Sequence, residues 1–585
     1  MSCENIFDKL PEYKLPEYGG GKKAKTLPIT ALEAKDALAF LMSHDRYCAT
    51  ELPEYFDFNG VLEYAATSID EKNLDEVSVD GVCPESLYGV NLDVITNKDG
   101  KYGVRPLTLA NPFLYYMLAR DICSEQSWPK VQECFKAYTS EHFDACAIPM
   151  VKVEDKPEPF KGATSILNWW NKMEQQSLEL SLQYRYMFVT DITNCFGQIN
   201  PESIGWAIAR KDTPQETSDN IELAAKIQYY LRAMQQGKNI GIPQGSTLFS
   251  LIAEIVLGYT DMLFEQAIRK AQSKDELPKD LEYRVLRYVD DYRIFCNDRD
   301  ALDKLSYMLQ EILEQFNFRM NTSKTRISTD LITDSIKPDK AFYVFNTPIE
   351  SKQTYLDENG NERKQPGYDF DGFQKHLLFI FEFSKRFPNS GQLVSQLEAF
   401  SKRIEKQLST KRTITTECEV IDLETNEITK ETETREVDGH LWENISTMVA
   451  IAVEIAANNV RVAPNALKVA SQMLADMCEK DAEKRKHIIG LIYNKLRHIP
   501  NSAFLQVWLQ NITHVTDDWT QGELYDMPLC KVVAQKPVSI WNNTWLKPEL
   551  ADNLPTTSIV DREALAKAGP VITFKAKRQY DEMEY

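Results

Sequence analysis

The feature that most constrains this chain is a short stretch, residues 286–295, in which apolar residues flank the adjacent acids of Tyr288-Val289-Asp290-Asp291. The pattern predicts two strands joined by a tight turn with the carboxylates at its tip. Neighbouring carboxylates on a turn repel each other unless a cation lies between them, and a hard divalent ion such as Mg²⁺ suits oxygen ligands of this kind. Taken alone, the pair fits a solvated turn as well as it fits a metal site.

A second acidic position lies upstream. Tyr186-Met187-Phe188-Val189-Thr190-Asp191-Ile192 is an apolar run ending in one acid, followed by Thr193-Asn194-Cys195-Phe196. A buried strand that carries a single Asp is costly unless the charge is paired or metal-bound. Asp191 and Asp290 together could hold two ions, as in sites whose metals stand about 3.5–4 Å apart. Between the two acids, Gly241-Ile242-Pro243-Gln244-Gly245-Ser246-Thr247-Leu248 is a Pro/Gly-punctuated loop that opens an apolar helix through Leu251 to Leu257. A glycine at the mouth of that helix lets another backbone or a ligand come close.

These features, in this order, resemble the reverse transcriptases. Asp191 with Phe196 looks like the first catalytic motif of that family, and Pro243-Gln244-Gly245 like the loop that supports template and incoming nucleotide. Tyr288-Val289-Asp290-Asp291 looks like the second catalytic motif, and Met320-Asn321-Thr322-Ser323-Lys324-Thr325-Arg326 like the motif that follows it. Upstream, Asn97-Lys98-Asp99-Gly100-Lys101-Tyr102-Gly103-Val104-Arg105-Pro106-Leu107 resembles the fingers hairpin, and Asp99-Gly100 is a hairpin turn signal in its own right. The resemblance spans about residues 90–345.

The resemblance implies nucleotidyl transfer from a dNTP to a hydroxyl, with two Mg²⁺ ions (Mn²⁺ as an alternative) clamping the attacking and leaving oxygens. Asp191 and Asp290 are then bridging ligands, Asp291 a weaker ligand, and the backbone carbonyl of Ile192 a further one. Phe196 lies under the sugar and excludes a 2′-hydroxyl, since that group would lose its water without gaining a partner. Gln244 contacts the nucleotide or template backbone and Gly245 allows close approach. Lys101 and Arg105 neutralise the triphosphate, and Lys324 serves the leaving pyrophosphate. For each of these basic residues the alternative is a solvated surface charge. The chain departs from the family at Asn111-Pro112-Phe113-Leu114-Tyr115-Tyr116, where most relatives carry a basic residue near Phe113 or Leu114. The neutral aromatic run suggests stacking on bases or a non-standard template, and it matches bacterial defence reverse transcriptases of the abortive-infection kind. So does Glu51-Leu52-Pro53-Glu54-Tyr55-Phe56-Asp57-Phe58, ahead of the fingers.

A formal net charge of −20 excludes a general electrostatic grip on long duplex. Nucleic acid must lie in a local basic channel, and a large RNA-gripping maturase is disfavoured. No apolar run is expected to cross a bilayer, no secretory signal is visible at the N-terminus, and the expected location is cytoplasmic. Eleven cysteines without paired spacing read as reduced thiols.

The expected fold is α+β: right-hand polymerase fingers and palm, reverse-transcriptase-like, then an all-α helical-repeat C-terminal domain. Its divisions are an N-terminal arm and helical extension over 1–89 and fingers and palm over 90–345. A helical thumb or repeat domain follows over 346–540, with a β-ribbon insertion near 413–437, and a tail over 541–585. Apolar stripes starting at Ile445, Ala466, Ile488 and Phe504 have helical spacing and no strict sequence period. Expected partners are dNTPs, a DNA product, a non-coding RNA and further copies of the chain, with no membrane. Tyr13, Tyr18 and Tyr580, near the two ends, are candidates for a priming hydroxyl. The alternatives are a templated reverse transcriptase of a retroelement or retron, an RNA-dependent RNA polymerase, and a non-catalytic RNA-binding scaffold.

Overall fold

The computed structural model of the protein describes residues 25–97, 103–145, 147–153, 173–210, 218–346, 351–356, 362–367, 372–409, 412–421, 428–437, 441, 445–477, 482–513, 525–569 and 571–574. At its centre is a five-stranded sheet in the order Phe143–Ala145, Tyr283–Tyr288, Asp291–Cys296, Tyr186–Asp191, Arg326–Ser328. The first pair is parallel and the rest are antiparallel. The two middle strands read as apolar runs because both of their faces are covered. Met187, Ile294, Phe295 and Cys296 are fully buried.

The cover on one face is the helix Thr247–Ser273. Ser246 caps it, its hydroxyl accepting from the Phe249 N–H at 3.2 Å. The helix is apolar nearly all round, which marks a core element. By length and composition it could cross a membrane, which corrects the expectation that no run is long enough. It lies inside the fold, mostly buried.

The hairpin of Leu92–Asn97 and Val104–Leu109 stands beside this core, with Leu92 opposite Leu109 and Asn97 opposite Val104. The helix Pro112–Ile122 follows it. Asn111 caps that helix, its side-chain oxygen accepting from the Phe113 N–H at 3.1 Å. Phe113, Leu114 and Tyr115 are fully buried and Tyr116 nearly so, with the Tyr115 hydroxyl donating to the Leu41 carbonyl at 2.8 Å. This overturns the expectation that the 111–116 run stacks on bases: its rings face the core between the N-terminal helices and Thr247–Ser273.

After the sheet come three pairs of helices. Phe373–Arg386 packs on Gly391–Ser409, Ile445–Asn458 on Ala463–Ala475, and Ala482–Leu496 on Ala503–Thr513. Each helix also touches the one two places on, so the six lie in two rows. A two-stranded ribbon, Arg412–Ile421 with Ile428–Val437, projects between the first and second pairs. The last helix, Ala503–Thr513, meets the hairpin strand Leu92–Asn97.

The chain then returns to its beginning. The Val79 N–H donates to the Trp545 carbonyl at 2.8 Å, the Asp57 N–H to Ile559 at 2.8 Å, and the Asp561 N–H to Tyr55 at 2.7 Å. Tyr55, Phe56 and Phe58 are buried anchors at this seam. The Trp541 indole donates to the Leu109 carbonyl at 3.1 Å, and Asn111 donates to the Asn543 side chain at 2.7 Å. Residues 541–561 are thus a strap under the base of the hairpin. Trp541→Ala removes a fully buried ring, and we expect a loss of about 3–5 kcal/mol. Chemical unfolding followed by far-ultraviolet dichroism measures it, and an unchanged midpoint would mean that the strap bears no weight.

Candidate active site

The strand Tyr186–Asp191 runs antiparallel to Asp291–Cys296 in a register that sets Asp191 opposite Asp291. Paired residues project from the same face, so both carboxylates lie on one side of the sheet. Asp290 is on the turn that joins Tyr288 to Asp291. The Ile192 N–H donates to the Asp290 carbonyl at 3.0 Å, and the Asn321 N–H to the Asp191 carbonyl at 2.8 Å. Three segments therefore meet at the acids through backbone bonds. Val289 has a φ of +53°, while Asp290 has none in the positive range, as in a II′ hairpin turn.

Asp191 is 7 % exposed, and its Oδ2 accepts from Lys324 Nζ at 2.6 Å. Its Oδ1 is buried without a hydrogen-bond partner. Lys324 is delivered by a tight turn, in which the Lys324 and Thr325 N–H groups each donate to the Asn321 carbonyl at 3.0 Å. The Thr325 hydroxyl bonds that of Thr190 at 2.7 Å, which ties the turn to the central strand. Burial pushes the Asp291 carboxyl above its ordinary range, and the charge of Asp191 adds to the shift. Lys337, Arg293 and Lys324 pull it back.

Among the described residues no three His, Cys, Asp or Glu side chains converge tightly enough to hold a metal ion. The donor set is nonetheless of the hard-oxygen kind that Mg²⁺ takes, and the unpartnered Asp191 Oδ1 is a buried acceptor that a cation would satisfy. In this structure the Lys324 ammonium holds the other oxygen.

Phe196 is half-buried against the core, and its carbonyl accepts from the Ile242 N–H at 2.8 Å. That bond ties the segment after Asp191 to the loop of Gln244. Gln244 and Gly245 are half-buried, and the Gln244 carbonyl accepts from the Thr108 N–H at 2.6 Å. Gly245 has a φ of +116°, and a Cβ there would stand 3.2 Å from the Thr108 nitrogen and 3.3 Å from its oxygen. The close approach expected of this glycine is to the chain's own hairpin strand. Arg105 lies half-buried on that strand, opposite Thr96. Ile192 is buried. Lys101, Tyr13, Tyr18 and Tyr580 lie outside the described residues. Lys324, expected at the leaving group, is an ion-pair partner of Asp191 in this structure.

Sequence reasoning missed Lys337 near Asp291, and it missed Glu254, Asp261, Arg287 and Tyr292, which bond one another beneath the turn. The available signal was Glu254, a lone acid amid Leu251-Ile252-Ala253 and Ile255-Val256-Leu257.

Residues 148–373 match the family described as reverse transcriptase (RNA-dependent DNA polymerase). The matched span takes in Asp191, Phe196, Gln244, Gly245, Asp290, Asp291 and Lys324, and leaves the hairpin Leu92–Asn97 and Val104–Leu109 outside. No curated protein matches the chain. Among solved structures the chain is similar to the telomerase of Candida albicans in complex with a TWJ fragment of telomeric RNA. The identity is 10 % and the TM-score 0.28, over 70 % of this chain and 68 % of that one. It is similar also to the apo telomerase of Candida tropicalis, at 11 % identity and a TM-score of 0.28, over 81 % of this chain and 71 % of that one. Those likenesses are loose, and the family match bears the weight. The chain carries a reverse-transcriptase domain, and its enzymatic class is RNA-directed DNA polymerase.

Gly245→Ala forces a side chain into a positive-φ position that faces a backbone. We expect a cost of about 1–3 kcal/mol and a displaced hairpin strand, read as a lower unfolding midpoint and faster proteolysis near Thr108.

Proposed function

We propose that this chain is a reverse-transcriptase-like DNA polymerase that adds dNTPs by two-metal nucleotidyl transfer and acts in bacterial anti-phage defence of the abortive-infection kind. The observation that carries the chemistry is the register of Asp191 against Asp291, with the backbone bond from Ile192 to Asp290 and a buried Asp191 oxygen that a cation would satisfy. Asp191, Asp290 and Asp291 would hold Mg²⁺, which when bound neutralises charge on the attacking and leaving oxygens. Lys324, now on Asp191, is the near cation that can follow the leaving pyrophosphate once those carboxylates are otherwise satisfied. Phe196, fixed to the Gln244 loop through Ile242, would test a sugar for a 2′-hydroxyl. Gln244 and Gly245 tie the hairpin that bears Arg105 to the core helix, so the triphosphate-facing strand and the acids share one frame.

The defence reading rests on the sequence resemblance around Glu51–Phe58 and on the two-row helical array, which is larger than a simple thumb. The same resemblance supports a side-chain hydroxyl as primer and an unconventional template.

The test incubates purified protein with Mg²⁺ and labelled dNTPs, without nucleic acid, and resolves products on a denaturing gel before and after proteolysis. We expect label that stays with the protein until it is digested, and none when Asp290→Ala and Asp291→Ala are combined. Product that appears free of protein, and only when RNA and a primer are supplied, would assign a templated reverse transcriptase instead. Phe196→Val should lower discrimination against ribonucleotides by about 10- to 100-fold, read by competing labelled NTP and dNTP; unchanged discrimination would remove Phe196 from the sugar gate.

A further inference from the structure

Beneath the acid turn lies a cluster of charges sealed from water. Arg287 and Tyr292 are cross-strand partners in the hairpin, so their side chains leave one face of the sheet, toward the helix Thr247–Ser273. Glu254 and Asp261 meet them there, seven positions apart along one side of the helix. None of the four is more than 3 % exposed. The Arg287 guanidinium forks onto Glu254, with Nη1 to Oε1 at 3.0 Å and Nη2 to Oε2 at 3.1 Å. Its Nε donates to Asp261 Oδ2 at 2.7 Å, and the Tyr292 hydroxyl donates to Asp261 Oδ1 at 3.0 Å. All four carboxylate oxygens have donors. Two further bonds leave the cluster: the Tyr292 and Thr260 hydroxyls bond each other at 3.3 Å, and Arg287 Nη1 donates to the Val289 carbonyl at 3.3 Å.

Val289 is the first central residue of the turn that carries Asp290, and its φ is +53°. A β-branched residue there is strained, by about 1–3 kcal/mol, and such strain persists only where the surroundings over-determine the backbone. Buried ion clusters are poor sources of stability, since well-packed apolar groups often do as well. What this one supplies is geometry. One end of the helix that bears Glu254 and Asp261 begins at the Ser246 cap, next to Gln244 and Gly245.

We propose that Arg287, held by Glu254 and Asp261, is a positioning residue that locks the Val289 turn. In doing so it fixes Asp290 and Asp291 relative to Asp191 and to the loop of Gln244 and Gly245. The proposal rests on the polymerase reading for its effect on turnover and on the structure alone for its effect on the turn.

Two arms test it on the full-length protein. In the kinetic arm, Glu254→Gln and Arg287→Lys lower kcat by about 10- to 100-fold and leave KM for dNTP within about twofold, because misplacement of the acids costs rate more than binding. Adding Val289→Gly to Arg287→Lys recovers about fivefold or more, since glycine holds a positive φ without the guanidinium. In the second arm, hydrogen–deuterium exchange of the 286–295 peptide rises about tenfold in both single variants, while the 186–191 strand is unchanged. Unaltered exchange at the turn would overturn the proposal. So would a loss of activity that matches a loss of folded protein, with normal turnover per titrated site and no recovery from Val289→Gly. A wild-type protein that transfers no nucleotide would sink the polymerase reading, and the exchange arm would still decide the role of Arg287.

Discussion

The antiparallel register between Tyr186–Asp191 and Asp291–Cys296 is the constraint on which the site depends. Side chains alternate along a strand, so a slip of one residue would send Asp191 and Asp291 to opposite faces. Burial makes that slip expensive: Met187, Ile294 and Phe295 would all exchange core for the other layer. The backbone bonds from Ile192 to Asp290 and from Asn321 to Asp191 then pin the ends of the register where the strands run out. The geometry of the acids is in this sense a by-product of core packing, held by apolar residues.

Charge is managed locally within a strongly acidic chain. Lys324 pairs with Asp191, and Lys337, Arg293 and Lys324 offset what burial and Asp191 do to Asp291. Farther in, one guanidinium answers two carboxylates. That leaves a surplus negative charge in the core, and burial holds the Asp261 carboxyl up at about 6 against the pull of Arg287 and Tyr292. The overall charge of −20 therefore says little about the field that a nucleotide meets.

Much of the centre was legible in the sequence, because its signals are short-range. The acid hairpin, the lone Asp191 and the Gly/Pro loop each announce themselves within ten residues through period-two patterning and turn chemistry. What could not be read depends on partners far along the chain. The aromatic run at Phe113 to Tyr116 has the composition of a stacking surface, and only the packing of the N-terminal helices against it shows it to be core. Arg287 looks like an exposed strand residue until the helix carrying Glu254 and Asp261, more than twenty positions earlier, is laid beneath it. The length of the helix Thr247–Ser273 was hidden by Glu254, Asp261 and Glu265, which break its apolar text while lying buried in the fold.

The returning strap has a consequence for how the protein is made. Its bonds join residues more than four hundred positions apart, as in Asn111 with Asn543 and Leu109 with Trp541. Chains emerge from the ribosome amino end first, and domains generally fold as units in that order. Here the base of the hairpin cannot be completed until residues near 541–561 have been translated. A ribosome-bound chain that already contains every acid of the site still lacks the floor under that hairpin, so the frame around the acids closes only after a further two hundred and fifty or so residues have been made.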